Sequence, residues 1–368
     1  MAKRLPVTVI TGFLGAGKTT VLRHLLTRGG QRLAVMVNEF GSVGLDGDLI
    51  RSCGFCPEEE VDGRLVELNN GCLCCTVQDD FLPTMETLLE RADQLDGIVV
   101  ETSGLALPRP LLQALDWPAI RSRVHVNGVV TLVDGEALAA GSPVADAEAL
   151  ERQRAEDPSL DHLTAIDDLF EDQLQAADLV LISRADCLDA SAMAEVQGRI
   201  KDKVRPGTAL LPVSQGQVET SVVLGLEHKP TPLEAHHDHD HHHEHDHHDH
   251  SHVDMVGSNV RVEGAFDREA LEQLLPSLVS NHQVVRLKGR VWLPSKTLPL
   301  QIQMVGPRLN SWFEAAPSHA WRPDQGCGAD LVVLALNEAA APALESGLQR
   351  LVQATPAKAS PAAATPES

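Results

Sequence analysis

Tyrosine is missing altogether and aromatic residues make up only 3% of the 368-residue chain, so its cores must be built from aliphatic side chains. Basic residues are the second scarcity. The 30 Lys and Arg stand against 52 Asp and Glu, a net charge of -22 that repels a phosphate backbone and excludes an electrostatic nucleic-acid groove. No apolar run approaches the ~20 residues that a membrane-spanning helix needs. An evenly spaced cysteine framework is also lacking: the seven cysteines are odd in number and three crowd at Cys72, Cys74 and Cys75. That suits thiolate chemistry in a reducing compartment better than secreted disulfides. The apolar stretch after Lys3 and Arg4 is interrupted at Gly12 and has no small-residue cleavage site, so it does not read as a signal peptide. These absences predict a cytoplasmic protein with neither nucleic acid nor membrane as partner.

The length suits about two domains. From Val7 to about Ser214, short β-branched runs alternate with longer amphipathic stretches, the pattern of βαβ units in a mostly parallel sheet covered by helices. Expected strands are 7–10, 33–37, 98–100, 129–133, 179–182 and 210–213; expected helices are 18–27, 81–91, 166–176 and 192–203. The Ala- and Glu-rich stretch 141–161 reads as a surface insertion. Residues 1–218 thus form an α/β domain, and 219–256 a linker. Within it, 236–252 holds eleven His, five acidic residues and one Ser, with nothing apolar to bury. A small α+β domain spans 257–353, with strands at 260–262, 284–287, 291–293, 300–305 and 330–336 and helices at 267–275 and 342–352. The Pro- and Ala-rich tail 354–368 completes the chain.

Gly12-Phe-Leu-Gly-Ala-Gly-Lys18-Thr19 fits G-x-x-x-x-G-K-[ST] directly between an expected strand and an expected helix. Such a loop turns successive backbone N–H groups and a helix N-terminus toward phosphate oxygens. Gly12, Gly15, Ala16, Gly17, Lys18, Thr19 and Thr20 are its candidate contacts, with Lys18 reaching the outer phosphates and the Thr19 hydroxyl serving Mg²⁺. A nucleotide hydrolase also needs an acidic group near the metal ion and a sensor of the outer phosphate. Glu101 and Gly104 in Glu101-Thr-Ser-Gly104 supply both at a strand's C-terminal end, and Glu39 in Asn38-Glu39-Phe-Gly41 is a second candidate. Lys18, Glu101 and Glu39 are therefore the candidate catalytic residues. For the base, Asp186 in Ser183-Arg184-Ala185-Asp186 stands where guanine-reading enzymes carry the Asp of Asn-Lys-x-Asp, and Ser214 in the next loop is placed for a backbone contact. Ser183 and Arg184 depart from that pattern.

Gly71-Cys72-Leu-Cys74-Cys75 places three thiols within four residues, a spacing that lets two or three sulfurs face one soft metal ion. The alternatives are a redox-sensing cluster or small buried hydrophobes. Cys53 and Cys56 form a further Cys-x-x-Cys that is either an accessory contact or inert. In the His tract, His236, His237, His239, His241, His242 and His243 are candidate metal ligands; an idle solvated linker is the alternative.

The phosphate loop, Asn38-Glu39-x-Gly41, Gly71-Cys72-x-Cys74-Cys75, Glu101-Thr-Ser-Gly104 and the His tract before a small C-terminal domain together resemble the CobW family of metallochaperone GTPases. Cys75-Thr-Val-Gln-Asp-Asp-Phe-Leu-Pro-Thr-Met85, Glu101-Thr-Ser-Gly-Leu-Ala-Leu-Pro108 and Val305-Gly-Pro-Arg308 are similar to its cobalamin-biosynthesis branch. The resemblance implies a P-loop GTPase domain and a ferredoxin-like C-terminal domain, with GTP and Mg²⁺ coupled to a Cys72, Cys74, Cys75 site that carries Co²⁺ toward the cobaltochelatase as client. Zn²⁺ as cargo, a passive His-rich metal store and a phosphate-loop kinase or synthetase are the rivals. A metal-dependent dimer is a further expectation.

Overall fold

A computed structural model describes residues 4–28, 31–38, 65–68, 73–102, 104–156, 165–225, 255–318 and 320–354. The chain divides into two compact units, residues 1–254 with 305–308 and residues 255–304 with 309–368.

The first unit is an α/β fold around a seven-stranded sheet of order β3-β2-β4-β1-β5-β6-β7. Its strands are β1 (Leu5–Thr11), β2 (Leu33–Asn38), β3 (Leu65–Leu68), β4 (Gly97–Glu101), β5 (Val124–Asp134), β6 (Leu179–Ser183) and β7 (Ala209–Pro212). Every neighbouring pair runs parallel. Every residue of β1, β4 and β6 is buried, as strands covered by helices on both faces must be. After β1 the chain builds β2, β3 and β4 on one side and then β5, β6 and β7 on the other. The order reverses at β1, and that reversal opens the crevice where open α/β sheets bind ligands, at the strands' C-terminal ends.

The helices of this unit are α1 (Lys18–Arg28), α2 (Leu73–Glu90), α3 (Pro108–Leu115), α4 (Gly135–Ala139), α5 (Ala147–Glu156), α6 (Ile166–Ala176), α7 (Ala190–Lys201) and α8 (Thr220–Leu224). Helix α2 buries Phe81, Met85, Leu88 and Leu89, the i, i+4, i+7, i+8 face of an amphipathic helix. It starts at Leu73 rather than Phe81 and runs through Pro83; that apolar face offsets the backbone hydrogen bond a proline removes. Strand β5 is longer than its apolar run because a register shift between Val7 and Thr8 accommodates one extra residue, Asn127. The Asn127 amide, buried, donates to Thr8 Oγ1 at 2.7 Å and Leu224 O at 2.9 Å. The insertion 141–161 contains α5, whose Leu150 joins a core cluster with Phe13, Leu105, Phe170 and Ile182.

The second unit has a five-stranded sheet of order β11-β10-β9-β12-β8, from β8 (Val256–Glu263), β9 (Val284–Trp292), β10 (Leu300–Val305), β11 (Arg308–Phe313) and β12 (Gly328–Ala335). Strand β12 pairs antiparallel with both β8 and β9. Helices α9 (Arg268–Asn281) and α10 (Ala340–Ala354) pack through Leu271, Leu275, Leu344 and Leu348 into one cluster with Val260, Leu287, Ile302 and Leu331. Two expected strands, 284–287 and 291–293, are the single strand β9. Gly289 keeps it continuous: a Cβ there would lie 2.0 Å from Asp330 O, so only glycine allows β12 that close. Strand β11, rich in polar side chains, carried no hydrophobic alternation to announce it.

Candidate functional site

The phosphate-loop motif forms the turn its glycines require. It leaves the C-terminal end of β1 and enters α1, with φ of +135° at Gly12, +78° at Gly15 and +95° at Gly17. A Cβ at Gly12 would stand 2.3 Å from Leu132 O, so the loop presses directly on β5. Ala16 N donates to Phe13 O at 3.1 Å and Val21 N to Gly17 O at 3.0 Å, which closes the loop into the first helical turn. Lys18, only 8% exposed, folds back so that Nζ donates to Gly12 O at 2.8 Å and Phe13 O at 3.1 Å. The lysine therefore ties the carbonyls of Gly12 and Phe13 inward. Thr20, the next contact predicted, is exposed on α1.

Glu101 ends β4, in register with Ile10 on one side and Val37 on the other. Its carboxylate is buried, and Thr19 Oγ1 donates to Glu101 Oε1 at 3.3 Å. An acidic oxygen and a hydroxyl from two separate motifs thus meet beside the phosphate loop, the hard oxygen donor set that suits Mg²⁺. Thr102 anchors the strand end, donating from N to Ile10 O at 2.9 Å and from Oγ1 to Thr11 Oγ1 at 2.9 Å. Gly104 follows, its Cα so close to the phosphate loop that a Cβ would lie 2.6 Å from Leu14 N.

On the far side of the loop lie the base-reading candidates. Ser183 sits beside Gly17, whose added Cβ would meet the Ser183 side chain at 3.7 Å, and its hydroxyl donates to Val133 O at 3.2 Å. Ser183 thus stands beside the phosphate loop in the place the pattern reserves for Asn, with its own hydrogen bond going to β5. Arg184 adopts a left-handed conformation with φ of 53°, and its guanidinium pairs with Asp134 Oδ2 at 3.0 Å and Glu136 Oε2 at 3.3 Å. Asp186 is exposed in the short turn Ala185–Cys187. Next to it, partial desolvation and then the negative Asp186 and Glu136 push the exposed Cys187 thiol above its ordinary value. Ser214 opens a loop in which Gln215 and Gly216 take φ of 52° and 73°, and a Cβ on Gly216 would touch the Thr20 methyl at 2.8 Å. Ser183, Gly216 and Gly104 therefore all abut the phosphate loop or its helix.

Glu39, Cys72, Cys53, Cys56, His236, His237, His239, His241, His242 and His243 lie outside the described residues. One expectation is corrected: a helix over 81–91 leaves Cys74 and Cys75 in the preceding loop, whereas both fall in the first turn of α2. The reason is the helical continuity of 73–80 with the buried face that begins at Phe81. Among the described residues no group of three or more His, Cys, Asp or Glu side chains is clustered as a metal would require. Also among them, no helix is long and apolar enough to cross a membrane. Two residues of this region carried no motif in the sequence. Asp134 caps α4 by accepting from Ala137 N at 3.1 Å while pairing with Arg184, and Gln173 of α6 reaches the Gly104 loop.

The profile of the CobW/HypB/UreG nucleotide-binding domain matches residues 6–212, and that of the cobalamin synthesis protein cobW C-terminal domain matches residues 255–352. The chain belongs to the CobW family. Among its relatives, a protein named Zinc chaperone CobW from Pseudomonas aeruginosa is 45% identical over 334 residues, 90% of this chain and 87% of that one. A second of the same name from Sinorhizobium sp is 41% identical over 356 residues, 95% of this chain and 98% of that one. A solved structure, the Zn(II)-bound YjiA GTPase from E. coli, aligns at 18% identity and TM-score 0.38, with 95% of this chain and 99% of that one covered. The family's nucleotide-binding domain is thus the first unit described above, and its phosphate loop is the one built at the end of β1.

Proposed function

We propose that the protein is a GTPase that loads and releases a soft divalent metal ion for a client metalloenzyme. The observation that carries the nucleotide half is the meeting of Thr19 and Glu101 at 3.3 Å beside a phosphate loop whose glycines adopt the turn. In this reading the N-terminus of α1 and the backbone N–H groups of the Gly12–Lys18 loop other than that of Ala16, which bonds Phe13 O, hold the phosphates, with Ala16 lining the turn and Thr20 following on α1. Asp186 accepts from the guanine N–H groups, Arg184 lies along the base on its Asp134 and Glu136 anchor, and Ser214 begins the loop that meets the base oxygen. Thr19 and Glu101 would hold Mg²⁺, which when bound neutralises the charge that develops on the leaving phosphate. Lys18 stabilises the transferring phosphoryl oxygens, Glu101 and Glu39 orient the attacking water, and Gly104 N–H senses the outer phosphate. Water attacks the terminal phosphorus, the bond to the bridging oxygen breaks, and GDP and phosphate leave. Turnover is slow without a partner that completes the charge stabilisation.

The metal half rests on Cys72, Cys74 and Cys75, which follow β3 in the chain and precede the Glu101 loop. GTP draws these thiolates into one geometry and hydrolysis relaxes it, so that metal binding must tighten GTP by the same factor. The tract His236 to His252, including His236, His237, His239, His241, His242 and His243, gathers metal near the thiolates by raising its effective concentration. The names of the two relatives favour Zn²⁺ as cargo. The C-terminal profile's description favours Co²⁺ for the cobaltochelatase of cobalamin synthesis as a second reading. Metal-bridged dimerisation and a cytoplasmic site of action go with either.

The test is a titration with Zn²⁺ and with Co²⁺ in the presence of Mg²⁺ and a non-hydrolysable GTP analogue, then of GDP, following thiolate-to-Co²⁺ absorption and competition. Tight binding in the GTP state alone, lost when Cys72 and Cys74 become Ser, is expected. Equal metal affinity in both nucleotide states would overturn the coupling, and binding confined to the His tract would leave a metal store.

A further inference from the structure

Helix α6 touches two parts of the nucleotide site at once. Its Phe170 ring stacks on Phe13 of the phosphate loop, with centroids 6.1 Å apart and planes 29° from parallel. One turn later, Gln173, wholly buried, donates from Nε2 to Gly104 O at 3.1 Å and, more weakly, to Ala106 O at 3.5 Å. The helix is itself pinned to the sheet there, because Thr131 Oγ1 of β5 donates to Gln173 O at 3.2 Å. Gly104 in turn leaves no room for a side chain against Leu14 N. A continuous line of contact therefore runs from β5 through Gln173 to Gly104 and on to the phosphate loop.

The amide's chemistry is one-sided. Two carbonyl oxygens face the same end of Gln173, so that end must be the NH₂ group. The other end, Oε1, is buried and accepts no hydrogen bond among the described residues. A buried acceptor left unpaired costs stability. An apolar side chain of the same length would escape that cost but would take the donor away from Gly104 O and Ala106 O, which belong to buried residues.

We propose that Gln173 is a positioning residue for nucleotide turnover, a donor clasp that holds the Gly104–Ala106 backbone against the phosphate loop. This rests on the GTPase reading above, and it assigns to α6 the task of coupling the phosphate loop to the loop that senses the outer phosphate. Losing the clasp lets the Gly104 loop wander while the phosphate loop, ordered by its own glycines and Lys18, still holds nucleotide. The expected loss in turnover is about fivefold to tenfold, the worth of one buried hydrogen bond.

The test uses the full-length chain with Gln173→Met and Gln173→Glu. For Gln173→Met, unfolding is expected to stay cooperative at a modestly lowered temperature, with GDP affinity within about threefold, kcat reduced and amide hydrogen exchange faster across residues 104–107. Gln173→Glu adds a signature. Only a protonated carboxyl can donate to the two carbonyls, and burial raises the pKa of such a group. Its turnover relative to wild type should therefore be highest at low pH and fall as pH rises. Unchanged exchange at 104–107 in Gln173→Met, parallel losses of stability, GDP binding and kcat, or a pH-independent ratio for Gln173→Glu would each overturn the proposal. Failure of the wild-type protein to bind or hydrolyse GTP would sink the GTPase reading instead, and the exchange measurement still decides whether the clasp exists.

Discussion

Alanine at Gly12 should do two kinds of damage that alanine at Gly15 and at Gly104 do separately. At Gly15, φ is +78° and nothing lies within 4 Å of an added Cβ, so the only cost is the left-handed conformation, about 1–2 kcal/mol for an L-residue. At Gly104 the cost is steric. The added Cβ would lie 2.6 Å from Leu14 N, and because the obstacle is backbone, the chain must move; overpacking of this kind costs about 1–3 kcal/mol. Gly12 combines a φ of +135° with a Cβ 2.3 Å from Leu132 O in the middle of the sheet. If the two costs add, the total is roughly 2–5 kcal/mol, or about 30-fold to several-thousand-fold in an equilibrium. The strain falls partly on folding and partly on ligand binding, so both must be measured and summed: urea unfolding for stability, and equilibrium titration with a fluorescent GDP analogue for affinity. The expected order of total loss is Gly12→Ala greatest, with Gly15→Ala and Gly104→Ala smaller. Gly12→Ala within threefold of wild type in both assays, or Gly15→Ala the most damaging of the three, would refute the geometry on which the phosphate site is built.

Three further outcomes are expected. Asp186→Ala should weaken GTP about tenfold or more while leaving ATP binding unchanged, because it removes a charged acceptor that only guanine uses; competition with the fluorescent GDP analogue reads it, and equal losses for both nucleotides would dismiss Asp186 as a base reader. Burial pushes the Glu272 carboxyl up, but the Ser311 hydroxyl and the Arg268 guanidinium outweigh it and hold the group below its ordinary value of about 4.3. The stability this adds to the second unit is present above that value and is lost as pH falls through the folded-state value. Acid unfolding of Glu272→Gln should show that dependence flattened, by less than about 1 kcal/mol for so exposed a pair. Cys187 should alkylate more slowly at neutral pH than an ordinary exposed thiol, with its rate still rising above pH ~8.5, because its thiolate is disfavoured; mass spectrometry of the Cys187 peptide against pH measures this, and a fully reactive thiol at pH 7 would contradict it.

The sequence by itself determined the α/β class, the phosphate loop and the family, because each is written in local signals. Strands buried on both faces appear as unbroken aliphatic runs, and a phosphate-binding turn demands glycine at fixed offsets before Lys18 and Thr19. The small second unit was visible in the same way, through the apolar periods of α9, α10 and β12. Where a local signal failed, the reading stopped short: the largely polar stretch Thr76-Val-Gln-Asp-Asp80 put the expected start of α2 at Phe81 and left Cys74 and Cys75 in a loop, and Gly289 divided β9. In both places tertiary packing goes with the longer element, through buried Phe81, Met85 and Leu88 for the helix and through close contact with Asp330 for the strand. Three features belonged to the tertiary structure alone. Thr19 meets Glu101 across 82 positions of chain, Arg184 finds a counter-charge in Asp134, and Gln173 reaches Gly104 across 69 positions. Periodicity and spacing encode what a residue does to its own neighbourhood, whereas a hydrogen bond between segments exists only once parallel pairing of the strands has brought their ends together.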